Sequence, residues 1–159
     1  MAAIAAAHAA GAETYAAEDL AAAEASLKRY DGFVAQRDYK QALSSALDAR
    51  DRGFEAAKLS AQKKAALQAE ADTLLQSLGA ALFTANAQIK APHPKSAARQ
   101  VEKLRQTVRA ADIAMQEAGS LIARGELATA VRRLGNAIAA LKRDSSAVTD
   151  NAKKPRKLP

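Results

Sequence analysis

The sequence predicts an all-α fold: antiparallel helical hairpins sharing one long central helix, about Tyr39 to Ile89, as a tetratricopeptide-like or elongated bundle. Three observations carry the prediction. Alanine, the best helix former, dominates the composition, and no stretch alternates as a strand would. Apolar residues instead recur at spacings of three and four. The breaks between such stretches are short and few, at Gly11, at Arg37-Asp38, at Ala91-Pro92-His93-Pro94 and at Gly125.

The elements follow in order. Ala2 to Ala10 forms a short helix that needs packing to persist, and Gly11 to Thr14 connects it onward. The second helix spans about Ala17 to Gln36, with Glu18 and Asp19 suited to its positive N-terminal end. Its stripe is Leu20, Ala23, Leu27, Tyr30 and Val34. Asp38 is the natural N-cap of the long third helix. There Leu43, Leu47, Phe54, Leu67, Ala71, Leu74, Leu78, Leu82 and Ile89 lie along one drifting apolar face. Gly53 and Gly79 weaken that helix by about 1 kcal/mol each, and a bend is expected near Gly53.

Proline ends the third helix, and Ser96 is the candidate N-cap of the fourth, which runs to about Arg124. Its seam, Val101, Leu104, Val108, Ala111, Met115, Ala118 and Ile122, is the cleanest in the chain. Such a narrow seam suits an intermolecular coiled coil as well as an intramolecular one, so a homodimer is open. Gly125 closes this helix, and the fifth, about Glu126 to Ser146, carries Leu127, Leu134, Leu141, Val131 and Ile138. The domain reading is one helical domain over 1–147, with hairpins at about 17–57 and 62–146, and a frayed basic tail over 148–159.

Two stretches overlay at a constant offset of 88: Phe33-Val-Ala-Gln-Arg-Asp-Tyr-Lys-Gln-Ala-Leu43 and Leu121-Ile-Ala-Arg-Gly-Glu-Leu-Ala-Thr-Ala-Val131. In each, an apolar pair and an alanine end one helix, two residues reverse the chain, and an acid starts the next. An internal duplication of a helical hairpin is the preferred reading.

The segment from Ala7 to Leu20, Ala-His-Ala-Ala-Gly-Ala-Glu-Thr-Tyr-Ala-Ala-Glu-Asp-Leu, is followed by Ala35-Gln-Arg-Asp-Tyr-Lys-Gln-Ala-Leu43. Together they resemble the alanine-rich helical domain of unknown function found in bacterial envelope lipoproteins, sometimes joined to an OmpA-like domain. That family shows Gly-Ala-x-x-Tyr-Ala-Pro-x-x-Leu and an Asp-Tyr-x-x-Ala helix restart; Ala17 stands here where proline is usual, and the lipoprotein cysteine is missing. The resemblance covers about Ala7 to Ala57. It implies an exported, helical, non-enzymatic protein and brings no catalytic residues with it. The Asp-Tyr-x-x-Ala-Leu restart also resembles a tetratricopeptide hairpin, without that family's 34-residue period.

Charge separates the two halves. Through Pro94 there are 10 Lys+Arg against 11 Asp+Glu; from Lys95 onward there are 14 against 6, so the net +7 belongs to the C-terminal part. Arg99, Lys103, Arg109, Arg124, Arg132, Arg133, Lys142 and Arg143 are the candidate anion-binding set, and Lys153, Lys154, Arg156 and Lys157 extend it into the tail. A solvated face is the competing reading. Tyr15, Tyr30, Phe33 and Tyr39 form a candidate aromatic patch around the first hairpin turn, with space-filling in the core as the alternative.

Catalytic constellations are absent from the sequence. It has no cysteine, which excludes disulfides, thiol catalysis and zinc thiolates. His8 and His93 stand in different segments without carboxylates at helical ligand spacing, and neither Gly-rich phosphate loops nor nucleophile motifs occur. No enzyme activity and no cofactor are expected. No run approaches the roughly 20 apolar residues of a membrane span. The opening Met1-Ala-Ala-Ile-Ala-Ala-Ala lacks the cations of a signal peptide and reads as the start of a mature or trimmed chain.

The leading expectation is therefore a non-catalytic scaffold or binding module of the bacterial envelope, periplasmic or envelope-associated. Its partners would be envelope proteins or an anionic cell-wall polymer. The alternative is a cytoplasmic, nucleic-acid-associated protein using the basic C-terminal half.

Overall fold

The computed structural model describes residues 1–153 and is all-α. Six α-helices follow one another: α1 (Ala2–Ala9), α2 (Ala12–Tyr15), α3 (Ala17–Ala35), α4 (Tyr39–Lys90), α5 (Ala98–Ala123) and α6 (Leu127–Lys153). Helix α4 is unbroken through Gly53 and Gly79. The chain divides into two compact units at Ala66/Leu67, and α4 contributes to both.

In the first unit α3 and α4 form an antiparallel hairpin, and α1 and α2 lie on it. The core here is made of alanine: Ile4, Ala7, Ala12, Ala16, Leu20, Ala23 and Ala56, edged by Leu27, Ala57 and Leu59. Helix α4 turns a seam of small residues inward, comprising Ala42, Ser45, Ala49, Gly53, Ala56 and Ser60. At 3.6 residues per turn these fall within about 80° of one another. Small side chains let helix backbones approach closely, and Gly53 shows how far. A Cβ built there would stand 2.9 Å from the carbonyl carbon of Ala3 and 3.0 Å from the amide nitrogen of Ile4. Gly53 is therefore the place where α1 lies against α4, and not a bend.

This packing corrects the expectation for Leu43, Leu47 and Phe54. They do not face the core; their stripe is centred about 140° around α4 from the small-residue seam. Leucine periodicity identified an apolar face, but the inward face was chosen by close approach, which only alanine, serine and glycine permit.

The second unit is a three-helix bundle of α4 (from Leu67), α5 and α6. Its core holds larger residues: Leu78, Leu82, Val101, Leu104, Val108, Leu121, Leu134, Ile138, Leu141 and Val148, with Leu74, Met115 and Ile122 packed at the edge. The predicted seam of α5 is thus spent inside the unit, so it offers no coiled-coil face to another chain. A 3-10 turn, Lys95–Ala97, precedes α5, and Ala97 takes the N-cap place expected for Ser96.

Helix α6 continues seven residues past its predicted end at Ser146, to Lys153. Val148 explains the extension: it is the next member of the Leu127, Leu134, Leu141 series and is buried. The Ser145 hydroxyl donates to Gln88, whose amide donates to Thr149, tying this last stretch to α4. The remaining basic tail, with Lys154, Arg156 and Lys157, lies outside the described residues.

The internal repeat is present in the backbone. Gln36, Arg37 and Asp38 donate to the carbonyls of Gly32, Val34 and Phe33, as Arg124, Gly125 and Glu126 donate to those of Ser120, Ile122 and Leu121. Every donor and acceptor is displaced by 88 residues. Arg37 (φ 59°) and Gly125 (φ 79°) both take the left-handed conformation that ends a helix in this motif.

Candidate interaction surfaces

The basic set divides into cations paired with acids and cations without an ion pair. Four of its members are already engaged by acids. Lys103 Nζ donates to Asp144 Oδ1 at 2.8 Å, and Arg143 lies 3.7 Å from the same oxygen. Arg124 bonds Glu126 at 2.7 Å across the turn, and Arg133 pairs with Glu117 across the α5–α6 interface. Among the described residues, Arg99, Arg109, Arg132 and Lys142 make no ion pair, and they are divided between α5 and α6. Arg99 and Arg109 are ten residues apart, about 80° around α5, and Arg132 and Lys142 are separated by the same angle on α6.

Asp144 is the acid that sequence reasoning missed. It is 3 % exposed, accepts 2.7 Å from Thr107 as well as the Lys103 bond, and so clamps α6 to α5. Burial raises its pKa, but the Lys103 and Thr107 hydrogen bonds and the Lys103 and Arg143 charges outweigh that and hold it below the ordinary carboxylate value. In the first unit Asp48 does the equivalent work between α3 and α4. It accepts from Ser26 at 2.6 Å, Arg52 at 2.9 Å and Arg29 at 3.1 Å. The Ser26 hydrogen bond is the largest influence lowering its pKa. A polar residue on an otherwise apolar seam, with a donor on the facing helix, was the available signal for both.

His8 places Nδ1 2.9 Å from Glu13 and Nε2 3.2 Å from Glu24, so both ring nitrogens meet carboxylates from neighbouring elements. His93 bonds the carbonyl of Gln88 and so caps the C-terminal end of α4. Among the described residues no three His, Asp or Glu side chains converge on a metal-sized site. No described helix is long and apolar enough to cross a membrane.

The aromatic residues separate as well. Tyr15 is set at the level of Lys63, whose ammonium donates to its carbonyl at 2.7 Å. That level is 24 residues, or about 36 Å, along α4 from the hairpin turn. Tyr30 and Phe33 are half-buried near the turn, and Tyr39 opens α4 beside them. What the turn end does carry is an apolar stripe on α4: Tyr39, Leu43, Leu47 and Phe54, exposed by 69, 63, 43 and 55 %. These four lie within about 80° of helix rotation and extend over about 22 Å.

A second surface lies in the other unit. Ala110, Ala114, Ala137 and Ala140 line an open groove of about 440 Å³ between α5 and α6, with Ile113, Glu117 and Arg133 among its other walls. It presents mostly methyl groups, with Thr107, Asn136 and the Glu117–Arg133 ion pair, and Glu117 is its one acid.

No protein-family model matches the chain, and no curated protein or solved structure matches it either.

Proposed function

We propose that this protein is a non-catalytic helical scaffold of the bacterial cell envelope that works by binding other polypeptides. The observation that carries this is the exposed Tyr39, Leu43, Leu47 and Phe54 stripe. Four large apolar side chains held together in water on a rigid helix cost solvation free energy, and such patches mark interaction sites. The envelope placement rests on the Ala7–Ala57 resemblance, and contact with an anionic cell-wall polymer would fall to the four unpaired cations of the second unit. Pairing of the other four with acids weakens the nucleic-acid reading, since phosphate binding requires free cations.

Site-specific photocrosslinking in the native cell tests the docking role. A photoreactive residue at Leu43 or Phe54 should form protein adducts, whereas one at exposed Lys28 should not. Equal labelling at all three positions contradicts the assignment. Fractionation should place the protein with the envelope. A salt-sensitive mobility shift with generic DNA would overturn that reading in favour of nucleic-acid binding.

A further inference from the structure

We infer that the occupant of the Tyr39–Phe54 face is a second copy of this chain, joined through α4 as an antiparallel, two-fold symmetric pair; this rests on the docking role proposed above. The internal repeat indicates the kind of cover the hairpin takes. Ala118, Leu121 and Leu134, displaced by 88 from Tyr30, Phe33 and Ala46, belong to a core that the later part of α4 helps to form, and Leu127, displaced from Tyr39, is buried. Farther along the stripe Val131 and Gly135, displaced from Leu43 and Leu47, are half-buried and Lys142, displaced from Phe54, is exposed, so the cover seen in the repeat bears on the turn end alone. The first hairpin has the same turn and lacks such cover at its turn end.

Two features favour the reversed copy as the missing helix. The stripe reads almost alike in both directions about a point between Ala46 and Leu47. In an antiparallel pair Tyr39 meets Phe54 of the second copy, and Ala46 and Leu47 meet their counterparts. Leu43 meets the stem of Arg50, whose guanidinium is turned aside to Asp51 at 2.9 Å. The rim charges obey the same symmetry. Lys40, Asp51 and Glu55 lie on one flank of the stripe, and a two-fold antiparallel pair brings equal flanks together. Lys40, which makes no ion pair among the described residues, then lies level with the interval between Asp51 and Glu55 of the second copy. It is about 3 Å along the helix from each. A uniformly acidic or basic partner would meet repulsion from one sign of this mixed rim, whereas the reversed copy matches each sign. Four apolar side chains per chain fall short of the roughly 800 Å² per partner of a stable interface, so the pair is concentration-dependent.

The experiment uses the full chain, which has no native cysteine. Sedimentation from micromolar to millimolar protein should show a monomer–dimer equilibrium that Leu43→Glu abolishes while helicity is retained. Lys40→Glu should weaken it at least several-fold, and adding Asp51→Lys and Glu55→Lys should restore it. On mild oxidation Leu47→Cys should crosslink to itself. Tyr39→Cys should not, but should crosslink when mixed with Phe54→Cys. Self-crosslinking of Tyr39→Cys, or a monomer throughout the range, overturns the inference. A strict monomer that still gives adducts with a different protein at position 43 overturns the second copy and sustains the docking role. A monomer with no adducts overturns both.

Discussion

The two hairpins share a turn and differ in everything packed around it. Around Arg37 and around Gly125 the hydrogen bonds coincide at the same offset. Yet Leu127 is buried and Leu134 lies in a core that a third helix helps to form, while Tyr39 is exposed and position 46 holds an alanine. The backbone of a helical hairpin is thus set locally, by a left-handed residue between two helices. Its stability is set by what covers its apolar face. The second unit gains cover from the later part of α4; in the first, α1 packs at the level of Gly53 and leaves the turn end open.

The comparison is broken most forcefully by trimming the covered face. Leu134→Ala empties a fully buried position and should cost about 2–5 kcal/mol. Leu43→Ala should change the stability of the monomer by no more than about 0.5 kcal/mol. Urea denaturation in dilute solution measures both. Comparable losses would mean that the first hairpin is covered too.

A second contrast lies between two glycines of the same helix. Gly79→Ala meets nothing within 4 Å and should stabilise by about 1 kcal/mol through helix propensity alone. Gly53→Ala gains the same propensity but pushes a methyl group against the Ala3 backbone, and should destabilise by about 1–3 kcal/mol. Thermal unfolding reports the opposite signs. A stabilising Gly53→Ala would show that α1 does not rest there.

These glycines also show how much of the molecule could be read beforehand. The all-α class, the hairpin turns, the internal repeat and the apolar seams of α5 and α6 were legible, because Leu, Val and Ile at heptad spacing pack a bundle. The inward face of α4 in the first unit was not. Its Ala42, Ser45, Ala49, Gly53, Ala56 and Ser60 periodicity is as regular as any leucine seam, but hydropathy gives it little weight. The more hydrophobic Leu43, Leu47 and Phe54 mark the apolar face instead, and they stay exposed. Which members of the basic set are paired was hidden for a related reason: charge counts do not reveal which cations have acids opposite them.

A third contrast is acid sensitivity. The folded pKa of Asp144 lies below its unfolded value of about 3.9, so its contribution is fully present above that value. It is lost as pH falls through the folded pKa. The second unit should therefore lose stability below about pH 4, and Asp144→Asn should flatten that dependence. A wild-type acid profile unchanged by the substitution would remove Asp144 from its clamping role.

The smallest effect concerns the turns themselves. Arg37→Gly relieves a left-handed side chain and should stabilise by about 0.5 kcal/mol, whereas Gly125→Ala should destabilise by about 1 kcal/mol. Chemical denaturation of both variants would show whether the two turns are equivalent.

Hydrogen exchange at equivalent amides tests the central claim most directly. Ala42 donates to Asp38 at 2.9 Å and Ala130 donates to Glu126 at 3.1 Å, so local bonding is matched. In dilute solution Ala42 should exchange at least tenfold faster than Ala130, because only Ala130 belongs to a core that a third helix helps to form. Equal protection of Ala42 and Ala130 in the dilute monomer would contradict it.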